Sequence, residues 1–195
     1  MNNDFKQLLA ELEHFGQQND LNAAHHDEKM LNITHDTGVF LAHLVHAIGA
    51  TRILEIGTSN GYSTLWLAHA TAQLGGHVTT IERDVAKIEQ AKINFNRAHL
   101  ADHIMQVEAD ASQLLQDVQA AAFDIIFIDS DRSAYLDWWP HIRQAIRVGG
   151  AVVVDNATSH AQEMQTFMDR VRTDTSFSNK LVDIGNGEFM AIRTV

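Results

Sequence analysis

The sequence predicts an α/β fold. It reads as a doubly wound sheet of seven strands, mostly parallel, with helices on both faces and one terminal strand antiparallel. Three observations predict it. Short apolar runs recur at Arg52–Gly57, His77–Glu82, Ile104–Ala109, Phe123–Asp129 and Ala151–Asp155. Continuous apolar character of this kind marks strands buried on both faces, and its alternation with helical stripes implies parallel pairing. The chain then ends in strand, turn, strand: Lys180–Ile184, Gly185-Asn186-Gly187 and Phe189–Val195. A connection that short joins antiparallel strands only.

The helices follow from their spacing. Phe5, Leu8, Leu9, Leu12 and Phe15 recur with helical period, as do Leu41, Leu44, Val45 and Ile48. Val85, Ile88, Ala91, Phe95 and Ala98 make a further stripe, and Ala161, Met164, Phe167, Met168 and Val171 another. Pro140, the single proline, suits the first turn of a helix running to about Arg147. Gly149 and Gly150 are expected to stop that helix.

A chain of 195 residues fits one domain. Its expected division is a helical segment, 1–50, and a sheet core, 51–195. The chain has no cysteine, which excludes disulfides and thiolate zinc sites. Residues 1–15 show neither a basic start nor an apolar block, and no apolar run is long enough to span a bilayer. The expected compartment is the cytoplasm, with no membrane partner. A formal net charge of -11 argues against nucleic acid and favours a small-molecule substrate.

The most informative stretch is ILEIGTSNGYSTLWLA, residues 53–68. A buried strand ends in Gly57, a loop holds Thr58, Ser59 and Asn60, and Gly61 opens a helix whose first N–H groups are free. The spacing Gly57-x-x-x-Gly61 differs from the dinucleotide pattern, so a ligand without pyrophosphate is favoured. Glu82 ends the second strand beside this loop, where a carboxylate can accept both hydroxyls of a ribose. Asp110 follows the third strand and can accept from an adenine amino group; Asp110 or Ser112 can equally cap the next helix. Asp129 ends the fourth strand and Asp155-Asn156 the fifth. Neighbouring strands lie about 4.8 Å apart, so two carboxylates and an amide oxygen can converge. An all-oxygen site suits Mg²⁺, Mn²⁺ or Ca²⁺.

From about Leu31 to Val195 the chain resembles the class I S-adenosylmethionine-dependent methyltransferases, with their Rossmann-like sheet. Within them it is most similar to the metal-dependent O-methyltransferases of the catechol and caffeoyl-CoA type. The matching stretches are MLNITHDTGVFL, ILEIGTSNGYSTLWLA, TIERD, ADAS, FDIIFIDSDRSAYLDWW, VVVDNATSHA and IGNGEFMAIR. The resemblance implies that Glu55, Gly57, Gly61, Tyr62 and Ser63 line the methionine end of S-adenosylmethionine. It implies Glu82 at the ribose and Asp110 with Ala111 at the adenine. Leu31 and Ile33 would cover the site, and Ser59, Arg83 and Asp129 complete the cofactor set. Asp129, Asp155 and Asn156 match the metal triad. The implied reaction is methyl transfer to a hydroxylated, catechol-like aromatic molecule, and the implied assembly is a homodimer with the N-terminal helix as a candidate contact.

One position departs from the family. Many relatives carry a lysine base three residues after the first metal aspartate; here it is Arg132, which stays protonated. The expectation is that the metal activates the hydroxyl while Arg132 steadies the oxyanion, with Asp131 or His160 as alternative bases. Three other readings remain open: a tRNA hydroxyuridine methyltransferase, a non-catalytic cofactor-binding homologue and a nicotinamide oxidoreductase. His25-His26-Asp27 and the His43/His46 pair lack a third ligand at motif spacing and are expected at the surface or in packing. Trp138 and Trp139, which follow Tyr135, stack on an aromatic substrate or pack the core.

Overall fold

A computed structural model describes residues 1–195. Two helices lead, α1 (Asn3–Asn22) and α2 (His35–Ile48). Then come β1 (Arg52–Ile56), α3 (Tyr62–Ala72), β2 (His77–Glu82), α4 (Val85–Arg97), β3 (Ile104–Glu108) and α5 (Ala111–Leu114). The chain closes with β4 (Phe123–Ile128), α6 (Tyr135–Ala145), β5 (Ile146–Val154), α7 (Ala161–Arg172), β6 (Phe177–Val182) and β7 (Glu188–Arg193). The seven strands are ordered β3-β2-β1-β4-β5-β7-β6, and only β7 runs antiparallel to its neighbours. No helix is long and apolar enough to cross a membrane.

Burial on both faces explains the strand composition. Ile53, Ile125 and Phe127 point to a cluster with Phe5, Leu41, Leu65 and Ala91, so α1 to α4 cover that face. Leu54, Ile56, Ile126 and Ile128 point the other way, against Trp139, Met164 and Phe167 of α6 and α7. Side chains alternate along each strand, so both sets must be apolar. Strand order reverses at β1 and β4, which opens a crevice at their C-terminal ends.

The helix around Pro140 differs from expectation. It starts at Tyr135 and ends at Ala145, so the proline sits in its interior. Asp131 accepts from the Ser133 N–H and starts a 3₁₀ turn, Arg132–Ala134, that leads into α6. Tyr135, Trp138, Trp139, Ile142 and Ala145 are buried along one stripe. Burying three aromatic rings outweighs the roughly 3 kcal/mol cost of an interior proline.

Gly149 and Gly150 do not stop a helix. They lie inside β5, where the register against β4 shifts between Phe123 and Ile125. Gly149 has φ +76°, and a side chain at Gly150 meets the Asp124 carbonyl, so the pair forms a bulge. The hairpin also differs: its strands are β6 and β7, and residues 183–187 connect them. Phe15 lies outside the buried stripe of α1 and is exposed, as is Val85 at the start of α4.

Candidate active site

Each strand that faces the crevice hands its last hydrogen bond to the site. Gly57 N–H donates to Ile81, Asp129 N–H to Ile56, Asp155 N–H to Ile128 and Ala109 N–H to Glu82. The residues just past the strand ends are therefore held by the ladder itself. Gly57 has φ +106° and packs directly on the Asp129 carbonyl. Gly61, at φ +85°, caps α3 against the Phe95 ring.

One end of the crevice is built around Glu82. Its Oε2 accepts from Ser59 N–H at 3.0 Å, and its Oε1 accepts from the N–H groups of Arg83 and Asp84 at 2.8 and 3.0 Å. Ser59 donates its hydroxyl to the Met30 carbonyl at 2.7 Å. Asp20 accepts from the N–H groups of Met30 and Leu31 at 2.6 and 2.9 Å, and Lys87 donates to the Lys29 carbonyl at 2.9 Å. Three elements thus pin the strap 29–33 over the cavity. Leu31 has φ +49° and is half exposed; Ile33 is buried. Asp110 caps α5 with one oxygen, accepting from Ser112 N–H at 2.7 Å. Ser112 does not cap; its hydroxyl accepts the Trp138 indole N–H at 2.9 Å. Arg83 is exposed at the rim, and Ala111 lies beside Asp110.

Glu55 is placed differently from expectation. It is fully buried between β1 and α3 and lies behind the cavity wall, as does Gly61. Its carboxyl is surrounded by the hydroxyls of Ser63 at 2.6 Å, Thr80 at 2.6 Å and Thr64. Strand alternation turns position 55 toward α3, away from the crevice. Burial pushes its pKa up to about 7 against the pull of those three hydroxyls. Ser63, which does line the cavity, is oriented by this carboxyl.

The reactive end joins two carboxylates. Ile128 pairs with Val154, so Asp129 and Asp155 leave adjacent strands together. The Asn156 side-chain amide donates to Asp129 Oδ1 at 3.2 Å and to Asp155 Oδ2 at 3.1 Å. The three residues converge as expected, but the amide nitrogen faces inward, because a donor is what two facing carboxylates need. The amide oxygen accepts from the Ser159 hydroxyl at 3.2 Å. Burial, then Asp155, then Glu55 hold the Asp129 carboxyl well above the usual range, opposed by Arg132. Burial raises Asp155 as well. Among His, Cys, Asp and Glu side chains, no group of three converges as a metal cluster; the third partner here is an amide.

One participant escaped the sequence reading. Glu188 is fully buried, accepts the Thr37 hydroxyl at 2.9 Å and lies opposite Asp155 across the β5–β7 ladder. Burial, then the Asp155 charge, push its carboxyl well above the usual range. The sequence signal was an acid at an inward position beside an apolar strand, which a strand begun at Phe189 hid inside the turn.

Arg132 donates its Nε–H to Glu163 of α7 at 2.7 Å and lines the cavity. His160 also lines it, its Nδ1 3.0 Å from the Ser159 hydroxyl. Asp131 spends an oxygen on Ser133 N–H, which holds its carboxyl below the ordinary range and unsuits it as a base. Trp138 borders the cavity, whereas Trp139 packs in the core. His43 and His46 are exposed on α2. His25 is exposed beside a short turn in which Glu28 accepts its N–H, and His26 and Asp27 reach the cavity rim.

One cavity of about 720 Å³ runs from Glu82 and Asp110 to Asp129, Asp155 and Asn156. Tyr62 Oη, Asn60 Nδ2 and Ser130 Oγ are buried without partners, and all three residues line it. An unpartnered buried polar group costs about 1–3 kcal/mol.

The profile of the O-methyltransferase family matches residues 3–192. The catechol O-methyltransferase of Mycobacterium tuberculosis is 42% identical over 122 residues, covering 61% of this chain and 54% of that protein. The catechol O-methyltransferase of Niastella koreensis is 33% identical over 129 residues, covering 65% and 58%. The chain thus spans little more than half the length of these curated relatives. The crystal structure of the Bacillus cereus O-methyltransferase in complex with SAH superposes with a TM-score of 0.78 at 25% identity, covering 96% of this chain and 91% of that one. With a family profile spanning almost its whole length, this chain belongs to the O-methyltransferase family.

Proposed function

We propose that the protein transfers a methyl group from S-adenosylmethionine to a hydroxyl of a small catechol-like phenol, with a divalent cation held by Asp129, Asp155 and Asn156. The observation that carries this reading is the single cavity that joins the Glu82 loop to the carboxylate pair. The relatives named for catechol methylation and the SAH-bound neighbour support it.

The residues fit the cofactor. Glu82 is held rigid by three backbone donors at the ribose position. Asp110 keeps one oxygen free of protein partners beside Ala111. Tyr62, Ser63 and the loop from Gly57 border the methionine end, and the strap 29–33 covers it. S-adenosylmethionine supplies an electrophilic methyl group on sulfur.

The residues also fit a cation. Neither Asp129 nor Asp155 is ion-paired to a lysine or arginine, so a buried carboxylate pair is left without a full counter-charge. Turning the Asn156 amide over brings its oxygen to face them. Such a cation makes a bound hydroxyl easier to deprotonate and fixes its direction. Arg132, clamped by Glu163, places positive charge where the phenolate develops. The products are a methyl ether, S-adenosylhomocysteine and the hydroxyl proton, which passes to solvent. In the same reading the protein is a cytoplasmic homodimer, α1 supplying the contact through exposed Phe15 and Leu21.

The test is release of S-adenosylhomocysteine with catechol, caffeoyl-type phenols and hydroxyuridine-containing tRNA, each with Mg²⁺, with Mn²⁺ and with EDTA. Turnover of a catechol that EDTA abolishes is the expected result. Turnover that EDTA leaves unchanged removes the cation, and methylation of tRNA alone removes the phenol.

A further inference from the structure

Asp155 and Glu188 face one another by register. The β5–β7 ladder pairs Ala151 with Ile192 and Val154 with Phe189. One step further sets Asp155 opposite Glu188, at the separation where directly opposed side chains interact. Glu188 is completely buried. One of its oxygens takes the Thr37 hydroxyl at 2.9 Å; Oε2 is buried and has no hydrogen-bond partner.

The hydrogen bonds to the Asp155 side chain come from its own neighbour. Asn156 supplies its backbone N–H at 2.7 Å and its amide at 3.1 Å. Those donors sit in the same turn, where Asn156 has φ +65°, and they move with it. Glu188 is the contact from a different element. Its own place is secured twice. Ala157 N–H donates to the Gly187 carbonyl at 2.8 Å, and Thr158 and Ser159 donate to Asn186 at 3.1 and 3.0 Å. On the other side Gly185 approaches the hydroxyls of Thr34 and Thr37 so closely that no side chain fits between.

We infer that Glu188 is a positioning residue, which sets the direction of the Asp155 carboxylate toward Asp129 and ties it through Thr37 to helix α2. The inference rests on the cation site proposed above. Partners that orient a ligating carboxylate are worth roughly 10- to 100-fold in metal affinity. The physical reason is that a carboxylate free to rotate must be ordered when it binds.

The experiment is calorimetric titration of the full chain with Mn²⁺, and separately with S-adenosylhomocysteine, for the parent, Glu188→Gln, Glu188→Leu and Thr37→Val. A glutamine donates to Asp155 and accepts from Thr37, so Glu188→Gln keeps Mn²⁺ affinity within about 2-fold. Glu188→Leu is expected to lose roughly 10- to 100-fold, with S-adenosylhomocysteine affinity unchanged in all four proteins. Thr37→Val removes only the far brace and falls between them; it carries the test if Glu188→Leu does not fold. Parental Mn²⁺ affinity in both Glu188→Leu and Thr37→Val overturns the inference. Loss of Mn²⁺ binding in Glu188→Gln overturns it too, because the carboxylate would then be a ligand itself. A parent that binds no Mn²⁺ overturns the cation reading and this assignment together, and is recognised by the absent signal in the unsubstituted chain.

Discussion

Gly57 and Asp129 touch backbone to backbone: the α-carbon of one loop lies against the carbonyl oxygen of the other, with no room for a methyl group between them. The loop that follows β1 and the loop that follows β4 are therefore one rigid unit. Gly57 also sits at φ +106°, a conformation other residues rarely adopt. We expect Gly57→Ala to separate the two loops. S-adenosylhomocysteine affinity should fall at least about 10-fold, and stability by about 2 kcal/mol. Calorimetry and urea denaturation measure the two. Parental values in both would mean that the loops are not coupled.

Arg132 stands where the family resemblance implies a lysine, and its guanidinium is clamped by Glu163 at 2.7 Å. A protonated group in that place stabilises charge rather than accepting a proton. Arg132→Ala should therefore lower kcat about 100-fold while leaving the affinity for S-adenosylhomocysteine unchanged. His160→Ala should leave the pH–rate profile in place. A lost limb in that profile would instead make His160 the base.

Glu55 makes stability fall with rising pH. Its folded pKa of about 7 lies above its ordinary value of 4.5, so the folded state holds the proton more tightly than the unfolded chain. The contribution is fully present below pH 4.5 and is lost as pH rises through about 7. The loss amounts to about 3 kcal/mol. Glu55→Gln has no such titration, so its stability relative to the parent should climb between pH 5 and pH 8. Urea melts at four pH values suffice; parallel curves for the two proteins would contradict the assignment.

Asp124 anchors the opposite end of the sheet. Burial opposes its charge. Even so, Arg147 at 2.7 Å, the Thr51 N–H at 2.9 Å and Arg52 at 3.1 Å hold its carboxyl down at about 2. Its contribution is present above the ordinary value of 3.8 and is lost as pH falls through about 2. Asp124→Asn removes the carboxylate that Arg52 and Arg147 share and should destabilise the fold by about 1–2 kcal/mol. Affinity for S-adenosylhomocysteine should not change, because the site lies at the other end of the strands. A change in affinity without a change in stability would reverse that assignment.

Much of the frame was legible before folding. Buried parallel strands must be apolar on both faces, so β1, β2, β4 and β5 announced themselves as continuous runs. Gly57, Glu82, Asp129 and Asp155-Asn156 stood out as a set: a single acid at a strand end commonly just starts a turn, but all of them in order at successive strand ends do not arise that way together. Each of these signals is local: it depends on residues within one strand and the turn after it. The misread positions depend on partners far away in the chain. Pro140 lies inside a helix because three aromatic rings find Met164 and Phe167 of α7. Gly149 and Gly150 bulge because β5 must pair with β4 on both sides of Asp124. Glu55 turns behind the cavity toward α3, and Glu188 reaches Asp155 only through the register of β7. Sequence alone located most of the strands and singled out the loops that follow them. Tertiary structure decided which carboxyl faces the cavity and which is buried behind it, because burial and opposing charge exist only once distant strands are brought side by side.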